Sequence, residues 1–342
     1  MKQRVLVTGV SGFAGGHLAE YAAGLPDVEF YGMVRWRSQT SHLRHLGERL
    51  TLIEGDVTDQ SSVLRVMQEV KPHRIFHLAA QSYVPASWNA PEESLTTNVL
   101  GTVHLFEAVR QVGGDPLILI PGSSEEYGLV YPEELPIREV QPFRPQSPYA
   151  VSKVTQDLLG YQYFWSYGLR IVRTRAFNHT GPRQREVFAV SNFAKQIVER
   201  EQGLQGGALR VGDLRAVRDF MDVGDAVRGY WLALERGEPG EVYNIASGKG
   251  YLIGDILAQL MAAGKVQLDL EVDTSRLRPS DAPRLVGDAS KFKARTGWAP
   301  EIPFENTLAN LLEYWRGQLA VMGKGHEIAK RAVANPPASK ST

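Results

Sequence analysis

An apolar run, Val5-Leu6-Val7, breaks straight into Thr8-Gly9-Val10-Ser11-Gly12-Phe13-Ala14-Gly15. Glycines at this spacing, set between a strand and a helix, constrain the chain more than any other feature. Gly9 permits a tight turn, Gly12 lets backbone approach a pyrophosphate, and Gly15 lets the helix close on the strand. The helix N-terminus then offers N–H groups and a positive dipole end to phosphate oxygens. The strand before and the helix after give the motif its weight.

The same rhythm continues. Strands are expected at Arg4 to Val7, Glu29 to Val34, Leu50 to Glu54, Arg74 to Leu78, Pro116 to Ile120 and Arg170 to Arg175. Helices are expected at Phe13 to Ala23, Ser61 to Val70, Glu92 to Val112 and Ser147 to Tyr167. Strands that look buried on both faces, alternating with amphipathic helices, define an α/β fold with a doubly wound parallel sheet. After about Asn178 strand candidates shorten (Leu209 to Val211, Val242 to Ile245, Leu268 to Val272) and loops lengthen. The expected organisation is a cofactor domain over 1–177 and a smaller α+β substrate lobe over 178–323, from which some chain returns to the first domain. A polar, disordered tail is expected over 324–342.

Composition closes off other classes. Lysine plus arginine and aspartate plus glutamate number 38 each, so no net charge invites nucleic acid. Cysteine is absent, which removes disulfide frameworks, thiolate nucleophiles and cysteine-bound zinc. His17, His42, His45, His73 and His104 show no ligand spacing, so no metal is expected. No apolar stretch approaches the ~18 residues of a membrane span. The expectation is a soluble, cytoplasmic protein.

Two stretches carry chemistry. Where NAD-binding units place a carboxylate after the second strand, this chain has Arg35-Trp36-Arg37-Ser38. Guanidinium groups there suit a 2′-phosphate, so NADP is preferred and NAD stays possible. Asp56 and Val57, after the third strand, either meet the adenine or form a plain turn. In Ser147-Pro148-Tyr149-Ala150-Val151-Ser152-Lys153, Ser147 can N-cap and Pro148 can open a helix. Tyr149 and Lys153 then share one face, where an ammonium and a cationic nicotinamide would favour the phenolate as acid/base. Ser123, Ser124 and Glu125 follow a strand, where such sheets carry their sites. A serine hydroxyl there can meet the reacting oxygen, and Glu125 can abstract a proton, while Glu126 is expected to point away.

With Phe13, His77-Leu78-Ala79-Ala80-Gln81-Ser82, Phe177-Asn178-His179-Thr180-Gly181-Pro182 and Arg218-Asp219-Phe220 added, the chain resembles the extended short-chain dehydrogenase/reductase family. Within it, the likeness is to enzymes that modify GDP-sugars, and it runs to about Arg316. It implies a Rossmann-type domain, a GDP-sugar substrate and a homodimer or homotetramer. Leu78, Ala79, Ala80 and His179 would line the cofactor. Ser82, Val84, Asn178, Lys195, Arg218 and Arg278 would hold the substrate, the two arginines on its diphosphate.

Two branches compete. Val34 to Ser38 and Ala79 to Asn89 look like GDP-mannose 4,6-dehydratases. Asn178 to Pro182, Arg218 to Val223 and Tyr243 to Gly248 look more like GDP-4-keto-6-deoxymannose reductases. A 4,6-dehydratase oxidises C4, removes the C5 proton, expels water from C6 and returns the hydride there. Glu125 has a task in that sequence and none obvious in a plain reduction, so the dehydratase is preferred. Tyr149 would take the C4 hydroxyl proton, Ser123 would steady that oxygen, and Lys153 would hold the nicotinamide ribose and lower the Tyr149 pKa. A nucleotide-sugar epimerase and a cofactor-binding sensor are weaker alternatives.

Overall fold

The computed structural model describes residues 2–277 and 282–334, with side chains given to residue 321. The first half comprises β1 (Gln3–Thr8), α1 (Phe13–Ala23), β2 (Val28–Val34), β3 (Leu50–Glu54), α2 (Gln60–Val70) and β4 (Arg74–His77). Then come α3 (Val84–Asn89), α4 (Pro91–Leu95), α5 (Gly101–Val112), β5 (Leu117–Ser123), α6 (Pro148–Tyr167) and β6 (Ile171–Ala176). The second half holds β7 (Asn178–Thr180), α7 (Ala189–Glu201), β8 (Leu209–Val211), β9 (Val217–Asp222), α8 (Val223–Arg236) and β10 (Val242–Ile245). It ends with β11 (Gly250–Leu252), α9 (Ile253–Ala263), β12 (Leu270–Val272), β13 (Arg284–Leu285), α10 (Ser290–Thr296) and α11 (Phe304–Ala334).

The central sheet runs β3-β2-β1-β4-β5-β6-β10, and all its pairings are parallel. Its strands carry continuous apolar or buried runs because helices cover both faces; all six residues of β6 are buried. Winding reverses between β1 and β4, which opens a crevice at their carboxyl ends. The chain does return to this domain. Trp231 of α8 stacks on Phe76 of β4, with ring centroids 5.5 Å apart, and β10 completes the sheet beside β6.

The other lobe packs α7, α9 and α11 around a separate core that includes Phe193, Ile197, Leu257, Leu311 and Trp315. Its β9 pairs with β7, β11 and β13. Because β7 directly follows β6, it leads the chain from the carboxyl edge of the central sheet into the lobe.

Two expectations are revised. The single helix expected over Glu92 to Val112 is interrupted by a π turn at Thr96–Leu100, between α4 and α5. Such turns re-aim one side chain, and here it is the fully buried Asn98. The expected disordered tail is partly helical, since α11 continues beyond Lys324 to Ala334.

Candidate active site

At the β1–α1 turn, Gly9 has φ +72°, and a Cβ there would stand 2.7 Å from the Ala79 backbone N. A Cβ on Gly15 would stand 2.3 Å from the Gly9 carbonyl oxygen. The glycine roles read from sequence therefore rest on close backbone approach. Gly12 is the N-cap of α1 and supplies no side-chain acceptor, so first-turn N–H groups stay available to a phosphate. Phe13 stacks on His179 at 5.9 Å. His179 is thus part of β7 against the glycine turn, not of a free loop.

Arg35, Trp36, Arg37 and Ser38 border a groove of about 400 Å³ with Glu54, Gly55, Asp56 and Arg65. Arg35 and Arg37 are exposed. Asp56 Oδ1 accepts from Thr58 N and Oγ1, each at 2.9 Å, in a turn that also borders the groove. Val57 is buried, and its carbonyl meets His104 Nδ1 at 2.8 Å. The groove sets Arg35, Arg37 and Arg65 against Glu54, Asp56 and Asp59, so its lining is balanced in charge; the exposed Arg35 and Arg37 on its β2 side are the groups that fit a 2′-phosphate.

Tyr149 sits where the sequence placed it. Ser147 caps α6 by accepting from Ala150 N at 3.1 Å, with Pro148 at the first helical position. The phenol is nearly buried, and burial pushes its pKa up, opposed by a hydrogen bond with Ser123 and reinforced by the nearby Glu125 charge. Ser123 therefore meets Tyr149, and the Glu125 charge is near enough to act on the same phenol. Ser123 Oγ also accepts from Glu125 N at 3.2 Å, fixing the loop.

Lys153 lies one turn further along α6 and is buried. Its ammonium donates to the Pro121 carbonyl at 2.7 Å and to Gln156 Oε1 at 2.5 Å. Burial pulls Lys153 itself below its ordinary range.

Behind Lys153 runs a buried chain whose direction can be read. Thr102 donates to the Asn98 carbonyl at 2.6 Å, so it accepts from Gln156 Nε2 at 2.7 Å. Gln156 must then present its oxygen to Lys153. His77 Nε2 lies 3.2 Å from Thr102 Oγ1, and its Nδ1 lies 2.9 Å from Thr8 Oγ1, which itself accepts from Ala79 N. Neutral His77 with the proton on Nε2 satisfies every partner, and burial lowers its pKa to about 3. The chain ties the lysine to the glycine turn. Asn98 joins Gln81 to Ser152 beside it, at 3.1 and 2.8 Å. Asn98, Thr102 and Gln156 escaped the sequence reading; an amide in the turn after Lys153 was their one visible sign.

On the substrate side, Asn178 in β7 has a buried Nδ2 without a hydrogen-bond partner, a donor that fits a ligand oxygen. Arg218 is buried on β9 and donates to the Val217 carbonyl at 3.0 Å. Lys195 engages its own lobe, 3.6 Å from Glu186, 3.8 Å from Glu199 and over the Trp315 ring. The exposed Arg210 pairs with Glu271 at 3.9 Å, as a surface ion pair should. Leu78, Ala79 and Ala80 follow β4 at the crevice; Ser82 is exposed and Val84 opens α3 buried. Arg278 lies outside the described residues. Among those described, no His, Cys, Asp or Glu cluster suits a metal, and no helix is long and apolar enough to cross a membrane.

A dinucleotide cradle that faces a helix-borne tyrosine and lysine, with a second lobe over the crevice, defines an extended short-chain dehydrogenase/reductase. Residues 6–311 match the family described as GDP-mannose 4,6 dehydratase, and the chain belongs to it. It is 35% identical to the GDP-6-deoxy-D-mannose reductase of Pseudomonas aeruginosa, over 93% of this chain and 99% of that protein. It is 31% identical to a GDP-mannose 4,6-dehydratase of Vibrio cholerae, over 91% and 93%. The solved structure of RMD from Pseudomonas aeruginosa complexed with NADPH superimposes with TM-score 0.80 at 33% identity, covering 93% of this chain and 100% of that one.

Proposed function

We propose that this protein is an NADP-dependent enzyme acting on the hexose of a GDP-sugar, as a GDP-mannose 4,6-dehydratase. The hydrogen bond between Ser123 and Tyr149, with Glu125 fixed in the same loop by its N–H to Ser123 Oγ, carries the reading. Gly9, Gly12 and Gly15 would hold the pyrophosphate, Arg35, Arg37 and Ser38 the 2′-phosphate, and Lys153 the nicotinamide ribose. When bound, the nicotinamide supplies a hydride acceptor for C4 and a positive charge beside the phenol. Tyr149 takes the C4 hydroxyl proton while Ser123 donates to that oxygen. Glu125 takes the C5 proton, acidified by the new ketone, and gives it to the C6 hydroxyl as water leaves. As the hydride returns to C6, Tyr149 gives its proton to C5, so phenol and cofactor both end as they began. Asn178, Lys195, Arg218 and Arg278 remain the proposed substrate contacts.

One observation favours a second reading, a GDP-4-keto-6-deoxymannose reductase. Identity to the Pseudomonas reductase, 35%, exceeds the 31% to the Vibrio dehydratase. The runs Asn178 to Pro182 and Arg218 to Phe220 point the same way. Incubation with GDP-mannose and catalytic NADP⁺ decides. A 4-keto-6-deoxy product supports the dehydratase, and Glu125→Gln should lower its formation about 100-fold or more. NADPH consumption with the preformed ketosugar, and no product from GDP-mannose, establishes the reductase. Normal turnover by Glu125→Gln refutes the role given to that carboxylate.

A cytoplasmic location follows from the NADP and nucleotide-sugar pools such an enzyme uses. We also propose a homodimer or homotetramer. Val151, Leu158, Tyr161 and Trp165 are exposed along α6, beside exposed Leu95 and Leu100. An apolar row at helical spacing suits pairing with a second copy. Light scattering across concentrations tests it.

A further inference from the structure

Glu126 follows Glu125 in the chain and lies in the opposite environment, fully buried beneath the loop. Gly122 makes the room, since a Cβ there would stand 2.2 Å from Glu126 Oε1. That oxygen accepts from the Ser123 N–H at 2.6 Å. The other oxygen has no hydrogen bond and lies 3.4 Å from Arg175 Nε. The partners in reach are all N–H groups, which suits an ionised carboxylate. Burial, with Asp157, pushes its pKa well above the ordinary carboxylate range, and Arg175, the Ser123 N–H and Lys153 draw against that, so its ionisation depends on those three partners.

Lys153 lies beyond, and the acceptors it bonds, the Pro121 carbonyl and Gln156, are both neutral. A buried ammonium needs compensating charge. The anions that act on it are Glu126 and Asp157. Asp157, on α6, already serves two guanidiniums of β6, Arg173 at 2.6 Å and Arg175 at 3.0 Å. The other groups around the pair are neutral His77 on β4, the phenols of Tyr127 and Tyr149, and Glu125, whose charge acts on Tyr149. Glu126 and Lys153 are tied to the same stretch of β5, at the Ser123 N–H and the Pro121 carbonyl, so Glu126 is the anion placed to compensate Lys153.

We propose that Glu126 is a positioning residue: its carboxylate keeps Lys153 charged and, through the Ser123 N–H, holds the hydroxyl that meets Tyr149. The proposal rests on the tyrosine–lysine chemistry proposed above. It separates charge from reach. Glu126→Gln keeps the reach and loses the charge, whereas Glu126→Asp keeps the charge and loses the reach.

Turnover and NADPH affinity, the latter by protein fluorescence, are followed from neutral to alkaline pH in both variants and the unaltered enzyme. In Glu126→Gln the alkaline midpoint of both should fall by about one pH unit. In Glu126→Asp the midpoint should stay, while turnover drops about tenfold through a slackened Ser123. A merely structural role would lower thermal stability and leave the midpoint in place, and that result in Glu126→Gln overturns the proposal. If Glu126→Gln does not fold, Glu126→Asp decides: reduced turnover with midpoint and thermal stability both unchanged supports the proposal, and a displaced midpoint or a loss of thermal stability overturns it. If the unaltered enzyme turns over no sugar nucleotide, the function proposed above fails, and the affinity profiles alone judge Glu126.

Discussion

On the cofactor side, Gly9, Gly12 and Gly15 lie within one strand-to-helix turn, and Tyr149 and Lys153 within one turn of α6. On the substrate side, Asn178 arrives on β7, Lys195 on α7 and Arg218 on β9. The first set is placed by local backbone geometry, so its spacing in sequence is its spacing in space. The second is placed by packing between distant segments. A local motif can be read before the fold is known; a dispersed set depends on the fold to bring it together, and Lys195 has in addition to leave ion pairs with Glu186 and Glu199 before it can meet a substrate.

The comparison breaks most sharply at Tyr149. Tyr149→Phe should cut turnover about 1,000-fold while leaving thermal stability and NADPH affinity near normal. Retained turnover would show that the local motif is not the reactive centre. Next, Arg218→Ala should raise KM for the sugar nucleotide about tenfold or more, with cofactor affinity unchanged. Arg35→Ala combined with Arg37→Ala should do the reverse, weakening NADP about tenfold and sparing NAD. Fluorescence titration with each ligand separates the two; crossed effects would mean that the two sides are not independent.

The smallest effect is in acid. Burial holds His77 at about 3 and, with Arg183 nearby, His17 at about 4. Both lie below the unfolded value of about 6.5. As pH falls through that window the unfolded chain takes up protons that the folded chain refuses, so stability falls. Asp219, pushed up to about 6 by burial, works in the opposite sense. The test is therefore a difference: urea midpoints of His77→Gln should decline less steeply with acid than those of the unaltered protein. Parallel declines would mean that His77 does not stay neutral.

Much of the fold was legible because its signals are periodic. The bounds of α1 and β3 match the sequence reading, and those of α2 and α6 differ by a residue. The π turn was not legible, because Thr96 to Leu100 continue the helical pattern and only tertiary bonds to Asn98 reveal it. At the site, Tyr149 and Ser123 were readable from chemistry and position. Glu126 was half readable: pointing away from the substrate was right, but a carboxylate is expected to point into water, and the space that Gly122 leaves drew it inward. The Thr102–Gln156 connection was invisible, since its residues lie 54 positions apart.

The last strand laid against the sheet, β10, comes from beyond the lobe, and α8 covers Phe76 on the way. A fragment cut after Phe177 would thus leave β6 with a bare row of amides and carbonyls and an aromatic floor open to water. Such a piece should clump instead of holding its dinucleotide.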